Sequence, residues 1–91
     1  MLCHFLLGQL KIESRVSKKL GRCPLDLIAR HAINEHGKIT PDEMAENLRA
    51  VKECGAIKSR YMVDPTDPTA GFVLVTTDEG WANTTVTLEK Q

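Results

Sequence analysis

The stretch that decides the fold is Phe72-Val73-Leu74-Val75-Thr76-Thr77, which has the composition of a β-strand. Turn-forming residues bound it on both sides, at 64–71 and at 78–80. Residues 56–63 alternate apolar and polar side chains, so we expect them to pair with residues 72–77 in a long antiparallel hairpin. Residues 84–88 are the candidate for a third strand of this sheet.

Two helices are expected in the first part of the chain. Apolar spacing predicts the first over residues 2–19, although Gly8 leaves residues 1–8 open to a strand or a loose arm. Pro24 opens a second helix, which Gly37 is expected to end. Its inward face, at helical spacing, is predicted to be Leu25, Ile28, Ala29, Ala32 and Ile33.

A third helix begins at a capping box formed by Thr40 and Glu43, with Pro41 in the first helical position. It is expected to run to about residue 53 or 54 with Gly55 as its C-cap. Its inward residues are predicted to be Met44, Ala45, Leu48 and Val51. The fold class is therefore predicted to be α+β: three helices followed by a β-hairpin, in a single domain spanning the 91 residues.

The charge balance excludes a strong overall field. Twelve basic and twelve acidic residues give a net charge of zero, so nothing draws the whole chain to nucleic acid or anionic lipid. The charges are nevertheless uneven, since residues 1–38 carry a net +4 and residues 39–91 a net −4. This asymmetry is explained either by a binding face or by two halves that offset each other when folded.

Cysteine use and hydropathy bear on the compartment. Cys3, Cys23 and Cys54 are an odd number at wide spacing, which implies no disulfide framework and favours a reducing cytoplasm. The first residues lack the basic region and cleavage site of a signal peptide, and no apolar run is long enough for a membrane span. We therefore expect a cytoplasmic protein without a membrane partner.

Helices followed by a β-hairpin is the order of a winged helix–turn–helix domain. Residues 48–57 resemble the end of a recognition helix that enters the wing, and residues 64–67 with 71–80 resemble the wing of MarR-like regulators. The resemblance covers about residues 24–80. It implies a small winged-helix transcriptional regulator of phage or plasmid type that binds duplex DNA, with the helix at 41–53 either the recognition helix or the helix before it.

The candidate DNA contacts are the basic and amide side chains of the predicted helices and wing. Those on the third helix and the wing would meet bases or phosphates, and those after the first helix would hold backbone phosphates. The set is Lys18, Lys19, Arg22, Asn47, Arg49, Lys52, Lys58 and Arg60.

Two features support a different class of function. Residues 68–70 stand where MarR-like wings place arginines, and carboxylates fill the start of the third helix, where they repel a polyanion. The alternative is a winged-helix protein-interaction module or inhibitor that meets a basic partner through its acidic helix, and not DNA. Its candidate contacts are Asp42, Glu43, Glu46 and Trp81, with Trp81 either a partner anchor or a lid over the core.

Catalytic, cofactor and metal sites are not expected. The Cys and His residues lack the paired spacing of a zinc site, and no glycine-rich phosphate loop follows a strand. The predictions are therefore no enzyme activity, no cofactor and no bound metal. Residues 1–12 carry more apolar side chains than a small core absorbs, so we expect a homodimer through this segment.

Overall fold

A computed structural model describes residues 6–89 of the chain, which form an α+β fold with three helices and a four-stranded sheet. The strands are β1 (Gln9–Ile12), β2 (Ile57–Met62), β3 (Phe72–Thr77) and β4 (Asn83–Leu88). The helices are α1 (Ser14–Leu20), α2 (Leu25–Ala32) and α3 (Pro41–Glu53), and a short 3₁₀ turn spans Pro68–Ala70. No helix within residues 6–89 has both the length and the apolar character needed to cross a bilayer.

The sheet has the strand order β1-β4-β3-β2. β2 and β3 form the predicted antiparallel hairpin, with Ile57 opposite Thr77. The third strand is also present: β4 lies antiparallel to β3, with Val75 opposite Val86. β1 was not predicted as a strand, and it pairs in parallel with β4, with Leu10 opposite Thr84.

One face of the sheet forms the core. Alternate strand residues are buried there, and the helices contribute Val16, Leu27, Ile28 and Ala50 to the same two apolar clusters. Side chains on the opposite face, such as Leu74, Thr76 and Thr85, are half-buried. The molecule is thus a sheet with helices on one side, which leaves the other face of the sheet, its two edges and the helix surfaces accessible.

The first predicted helix is wrong over residues 9–13. Only Ser14–Leu20 is helical, and Gln9–Ile12 is strand β1. The reason is a turn at Gly8, which has φ of +64° and lies so close to the chain that a Cβ would sit 2.3 Å from the carbonyl oxygen of Ala82. Gln9 N–H then donates to the same carbonyl at 2.9 Å and starts the parallel pairing. The predicted residues 2–5 lie outside the described part of the chain.

The inward face of α2 also differs from the prediction. Leu27, Ile28 and His31 are buried, whereas Leu25 and Ile33 are 62% and 66% exposed. His31 turns inward because both of its ring nitrogens find hydroxyl partners on the sheet. The helix ends at Ala32, before Gly37, so that glycine does not serve as its C-cap.

Helix α3 begins as predicted and faces the sheet differently. Glu43 N–H donates to Thr40 Oγ1 at 3.1 Å, and Thr40 N–H donates to Glu43 Oε1 at 3.0 Å, which confirms the capping box. The left-handed C-cap position is taken by Cys54, with φ of +57°, and not by Gly55. Asn47 is one of its buried residues.

Three of the four residues of α3 that are predicted to point inward are exposed: Met44, Ala45 and Leu48. Met44 is 52% and Leu48 60% exposed, whereas Ala50 and Asn47 are 7% and 4% exposed. The amide of Asn47 binds the backbone of strand β2, and this fixes the rotation of the helix. The more apolar side of α3 is therefore left at the surface.

Candidate functional site

Two hollows lie side by side between α3, β2 and the segment that connects α2 to α3. The larger has a volume of about 540 Å³ and the smaller about 170 Å³. Both are lined by Asn34, His36, Gly37 and Met44. Met44 thus stands on the ridge between two depressions that a ligand could occupy together.

The smaller hollow is bordered by an apolar flank of α3, which we define as Met44, Leu48 and the neighbouring Ile39. Met44 and Leu48 are four residues apart, so they stand one above the other on the same side of the helix. By the same spacing, Asp42 and Glu46 lie on the opposite side. Helix α3 therefore presents an apolar side and an acidic side to its surroundings.

The charges around the larger hollow are largely neutralised within the fold. Arg30 pairs with Glu35 at 2.8 Å, and its guanidinium lies 4.7 Å from the ring centre of Tyr61. The Tyr61 hydroxyl donates to the Glu35 carbonyl at 2.5 Å, and burial raises the pKa of Tyr61 to about 12. These contacts fix the side chains that form the floor and one wall of the hollow. With its raised pKa, the Tyr61 hydroxyl stays protonated at neutral pH.

Arg60, on the other wall, is held in the same manner. Its Nε and Nη2 donate to the two carboxylate oxygens of Glu89 at 3.0 and 2.8 Å. Its guanidinium also stacks 3.6 Å from the ring centre of Phe72. Because Glu89 and Phe72 together hold the guanidinium in place, Arg60 is fixed against the sheet and its charge is already paired.

A buried chain of polar groups leads inward from His36. His36 Nδ1 lies 2.7 Å from Ser59 Oγ, which lies 2.5 Å from His31 Nδ1. On the far side, His31 Nε2 lies 2.8 Å from Thr77 Oγ1. The chain then continues through Thr84, whose hydroxyl lies 2.8 Å from that of Thr77 and donates to the Leu7 carbonyl at 2.6 Å.

The last bond of this chain sets the direction of the bonds next to it. Because the Thr84 hydroxyl donates its proton to a carbonyl, it accepts from Thr77, which in turn accepts from His31 Nε2–H. In a neutral His31, Nδ1 then carries no proton and accepts from Ser59, which accepts from His36 Nδ1–H. The contacts of the chain are thus satisfied with His31 neutral.

The pKa values of the two histidines agree with this assignment. Burial, with a smaller contribution from His36, lowers the pKa of His31 to about 3. Burial also lowers the pKa of His36.

Ser59 is only 1% exposed, so its hydroxyl cannot reach a substrate. Within residues 6–89 no group of three or more Cys, His, Asp or Glu is arranged to hold a metal ion. The buried chain of hydrogen-bonded side chains therefore fixes the segment around His36 to the sheet.

Three of the predicted DNA contacts are engaged by the fold. Asn47 is buried against β2, and Arg60 is paired with Glu89. Arg22 pairs with Asp26 one helical turn away. Both polar atoms of the Asn47 amide bond to the backbone of Lys58 and the side chain is 4% exposed, so the structure places this predicted contact in a structural position.

The remaining predicted DNA contacts are exposed but divided between two places. Arg49 and Lys52 lie on α3, which packs on β2, and Lys58 lies on β2 itself. Lys18 and Lys19 end α1, which packs on β4, with strand β3 between. The two groups therefore lie over strands that are not adjacent in the sheet. Lys19 reaches a small hollow beside Glu89, the carboxylate that also holds Arg60.

The predicted protein contacts also differ in how far they are exposed and in whether the fold already binds them. Asp42 and Glu46 are exposed, whereas Glu43 is held in the capping box, where the hydrogen bonds from Thr40 lower its pKa. Trp81 is half-buried against the cluster of Ala50 and Ile57, and its Nε1–H donates to the Gly55 carbonyl at 3.0 Å. This placement makes Trp81 a lid over the core.

Sequence reasoning missed two groups of residues. Met44 and Leu48 were assigned to the core, and only the helix rotation shows that they are exposed. The buried chain from His36 to Thr84 was also missed, although Ser59 and Thr77 stand at inward positions of alternating strands. A scan against protein-family models finds no matching family, and searches of curated proteins and of solved structures find no matching protein.

Proposed function

We propose that this chain is a protein-interaction module that docks a protein partner on the apolar flank of α3. The observation that carries the proposal is the 52% and 60% exposure of Met44 and Leu48, side by side above a hollow. Single exposed apolar side chains are ordinary on a protein surface, but neighbouring ones that border a depression are typical of docking sites. Methionine is also common at binding surfaces because its side chain adapts to different shapes.

The charges of α3 indicate the chemistry of the partner. Asp42 and Glu46 lie across the helix from Met44 and Leu48, and the small exposed Ala45 lies between the two sides. A partner that inserts an apolar side chain beside Met44 and crosses over Ala45 reaches the acidic side. Such a partner would carry lysine or arginine next to its apolar anchor, because opposite charges favour encounter and orientation.

A winged-helix regulator that binds duplex DNA is the second candidate. In its favour are five exposed cations on α1, α3 and β2: Lys18, Lys19, Arg49, Lys52 and Lys58. Against it stand the carboxylates at the start of α3 and the engagement of Asn47 and Arg60 within the fold. DNA binding requires several cations that contact phosphates together, and these five lie over two strands, β4 and β2, that are not adjacent.

The test compares two double variants of similar severity. Met44→Glu/Leu48→Glu places charge on the apolar flank, and Arg49→Glu/Lys52→Glu reverses charge on the same helix. Each protein is immobilised and exposed to nuclease-treated lysate of its source, and retained proteins are quantified. In parallel, the binding of a labelled 20-base-pair duplex is measured at 50 mM salt.

We expect a specific protein to be retained by the wild type and by Arg49→Glu/Lys52→Glu, and to be lost with Met44→Glu/Leu48→Glu. We expect no DNA binding by any of the three. Retention unaffected by the flank variant would refute the proposal. Salt-dependent DNA binding that disappears with Arg49→Glu/Lys52→Glu would establish the second candidate instead.

A further inference from the structure

The two edges of the sheet differ in how their backbone groups are satisfied. On β2, the outward N–H and C=O of Lys58 bond to the side-chain amide of Asn47. The outward groups of Arg60 bond to the backbone of His36 and Lys38, at 2.9 and 2.7 Å. This edge is closed by the protein itself, as is usual where an exposed strand would otherwise recruit another chain.

The β1 edge has no such cover within residues 6–89. Gln9 and Glu13 donate to β4 carbonyls at 2.9 Å, so the alternation of a parallel ladder turns the N–H and C=O of Leu10 and Ile12 away from the sheet. No other strand in residues 6–89 pairs with that side. Leu10 is also 43% exposed, and Leu6 just before the strand is 71% exposed. The edge thus combines outward backbone groups with apolar side chains.

We propose that two copies of this chain pair through β1, antiparallel, with Leu10 opposite Leu10 of the second copy. Because the backbone groups of Leu10 point outward, this pair exchanges two N–H···O bonds and joins the two sheets into one of eight strands. The two-fold arrangement also brings the exposed apolar side chains of both copies to the same axis.

The charges of β1 are compatible with this register and with a second copy as the occupant, because no like charges are directly opposed. With Leu10 on the axis, Gln9 faces Lys11 of the other copy, twice. A shift of one strand by two residues would move the axis to Lys11 and place Lys11 opposite Lys11, where like charges directly opposed are destabilising. The chain has a net charge of zero, so two copies approach without overall repulsion. The inference is independent of the docking surface on α3.

Sedimentation tests the dimer directly. We expect the wild type to be dimeric at tens of micromolar, and Leu10→Lys to weaken the dimer by roughly tenfold or more, because two ammonium groups would oppose each other on the axis. Leu25→Lys is the matched control, since it adds the same charge at another exposed leucine and should leave the dimer unchanged. Leu25 lies outside both β1 and the apolar flank of α3, so failures of the two proposals are distinguishable.

Disulfide cross-linking tests the register, and it remains informative if Leu10→Lys does not fold. In a background with the native cysteines changed to serine, Leu10→Cys should form a covalent dimer rapidly on oxidation, because directly opposed Cα atoms about 5.5 Å apart fit disulfide geometry. Gln9→Cys and Lys11→Cys should cross-link more slowly. A monomer at every concentration, or a maximum at position 11, overturns the proposal.

Discussion

The side-chain amide of Asn47 pairs with the backbone of Lys58 as a neighbouring strand would. Asn47 Nδ2 donates to the Lys58 carbonyl at 2.8 Å, and the Lys58 N–H donates to Asn47 Oδ1 at 3.0 Å. This pair of bonds closes one sheet edge, orients α3 and turns the apolar flank toward solvent. The surface that we propose for a partner is therefore a consequence of a polar contact in the core.

Asn47→Ala tests this role. The variant loses both bonds and leaves a small void at a side chain that is 4% exposed. We expect the free energy of unfolding to fall by about 2 kcal/mol, measured by urea denaturation. Glu46→Ala, on the exposed side of the same helix, is the control and should change stability by less than about 0.5 kcal/mol. An equal effect of the two substitutions would contradict the structural role of Asn47.

The neutral histidines predict a loss of stability in acid. An unfolded histidine has a pKa of 6.5, and that of folded His31 is lowered to about 3, so the unfolded state binds its proton first. The contribution of His31 is complete above pH 6.5 and is lost as the pH falls toward 3. Between pH 7.5 and pH 4.5 it should amount to about 2–3 kcal/mol.

Urea denaturation of the wild type and of His31→Gln at these two pH values measures that contribution. Gln keeps one donor and one acceptor, so the variant should fold. Its loss of stability on acidification should be smaller than that of the wild type by about the amount given, because the variant lacks the titration of His31 and keeps all the other titrating groups. Equal losses in the two proteins would show that His31 is not held neutral.

The Arg60–Glu89 pair should be energetically coupled. The side chains are 35% and 32% exposed, so solvent screens them in part. A double-mutant cycle with Arg60→Gln and Glu89→Gln should give a coupling of about 0.5–1 kcal/mol. The more exposed Arg22–Asp26 pair serves for comparison and should give less. A value near zero for the first pair would return Arg60 to the candidate DNA contacts.

Trp81 is expected to stabilise the fold without contacting the partner. Trp81→Phe removes the hydrogen bond to the Gly55 carbonyl, and we expect about 1 kcal/mol lower stability by urea denaturation. Retention of the captured protein should be unchanged. Unchanged stability together with lost retention would instead assign Trp81 as a partner anchor.

Local features of the fold could be predicted from the sequence. The capping box at Thr40 and Glu43 and the β2–β3 hairpin depend on residues close together in the chain, and both are present. Strand β1 was missed because its formation depends on β4, more than seventy residues away. Its own residues have helical spacing, and only the turn at Gly8 indicates otherwise.

Sequence periodicity did not predict which side of each helix faces the sheet. The apolar side of α3 was placed inward because burial of Met44 and Leu48 would gain the most from the hydrophobic effect. Asn47 and His31 are buried in place of more apolar neighbours, because each finds hydrogen-bond partners on the sheet. The partner of Asn47 lies on the next strand and those of His31 on two later strands, and helical spacing indicates none of these contacts, so the candidate surface could not be found before the fold.

The central claim is that a protein, and not DNA, contacts the apolar flank of α3. The most direct measurement places a photo-cross-linking amino acid at position 48 in cells of the source, with position 85 on the open sheet face as the control. We predict a discrete protein adduct from position 48 that nuclease leaves intact and that position 85 does not form. A nuclease-sensitive adduct, or the same adducts from both positions, would contradict the claim.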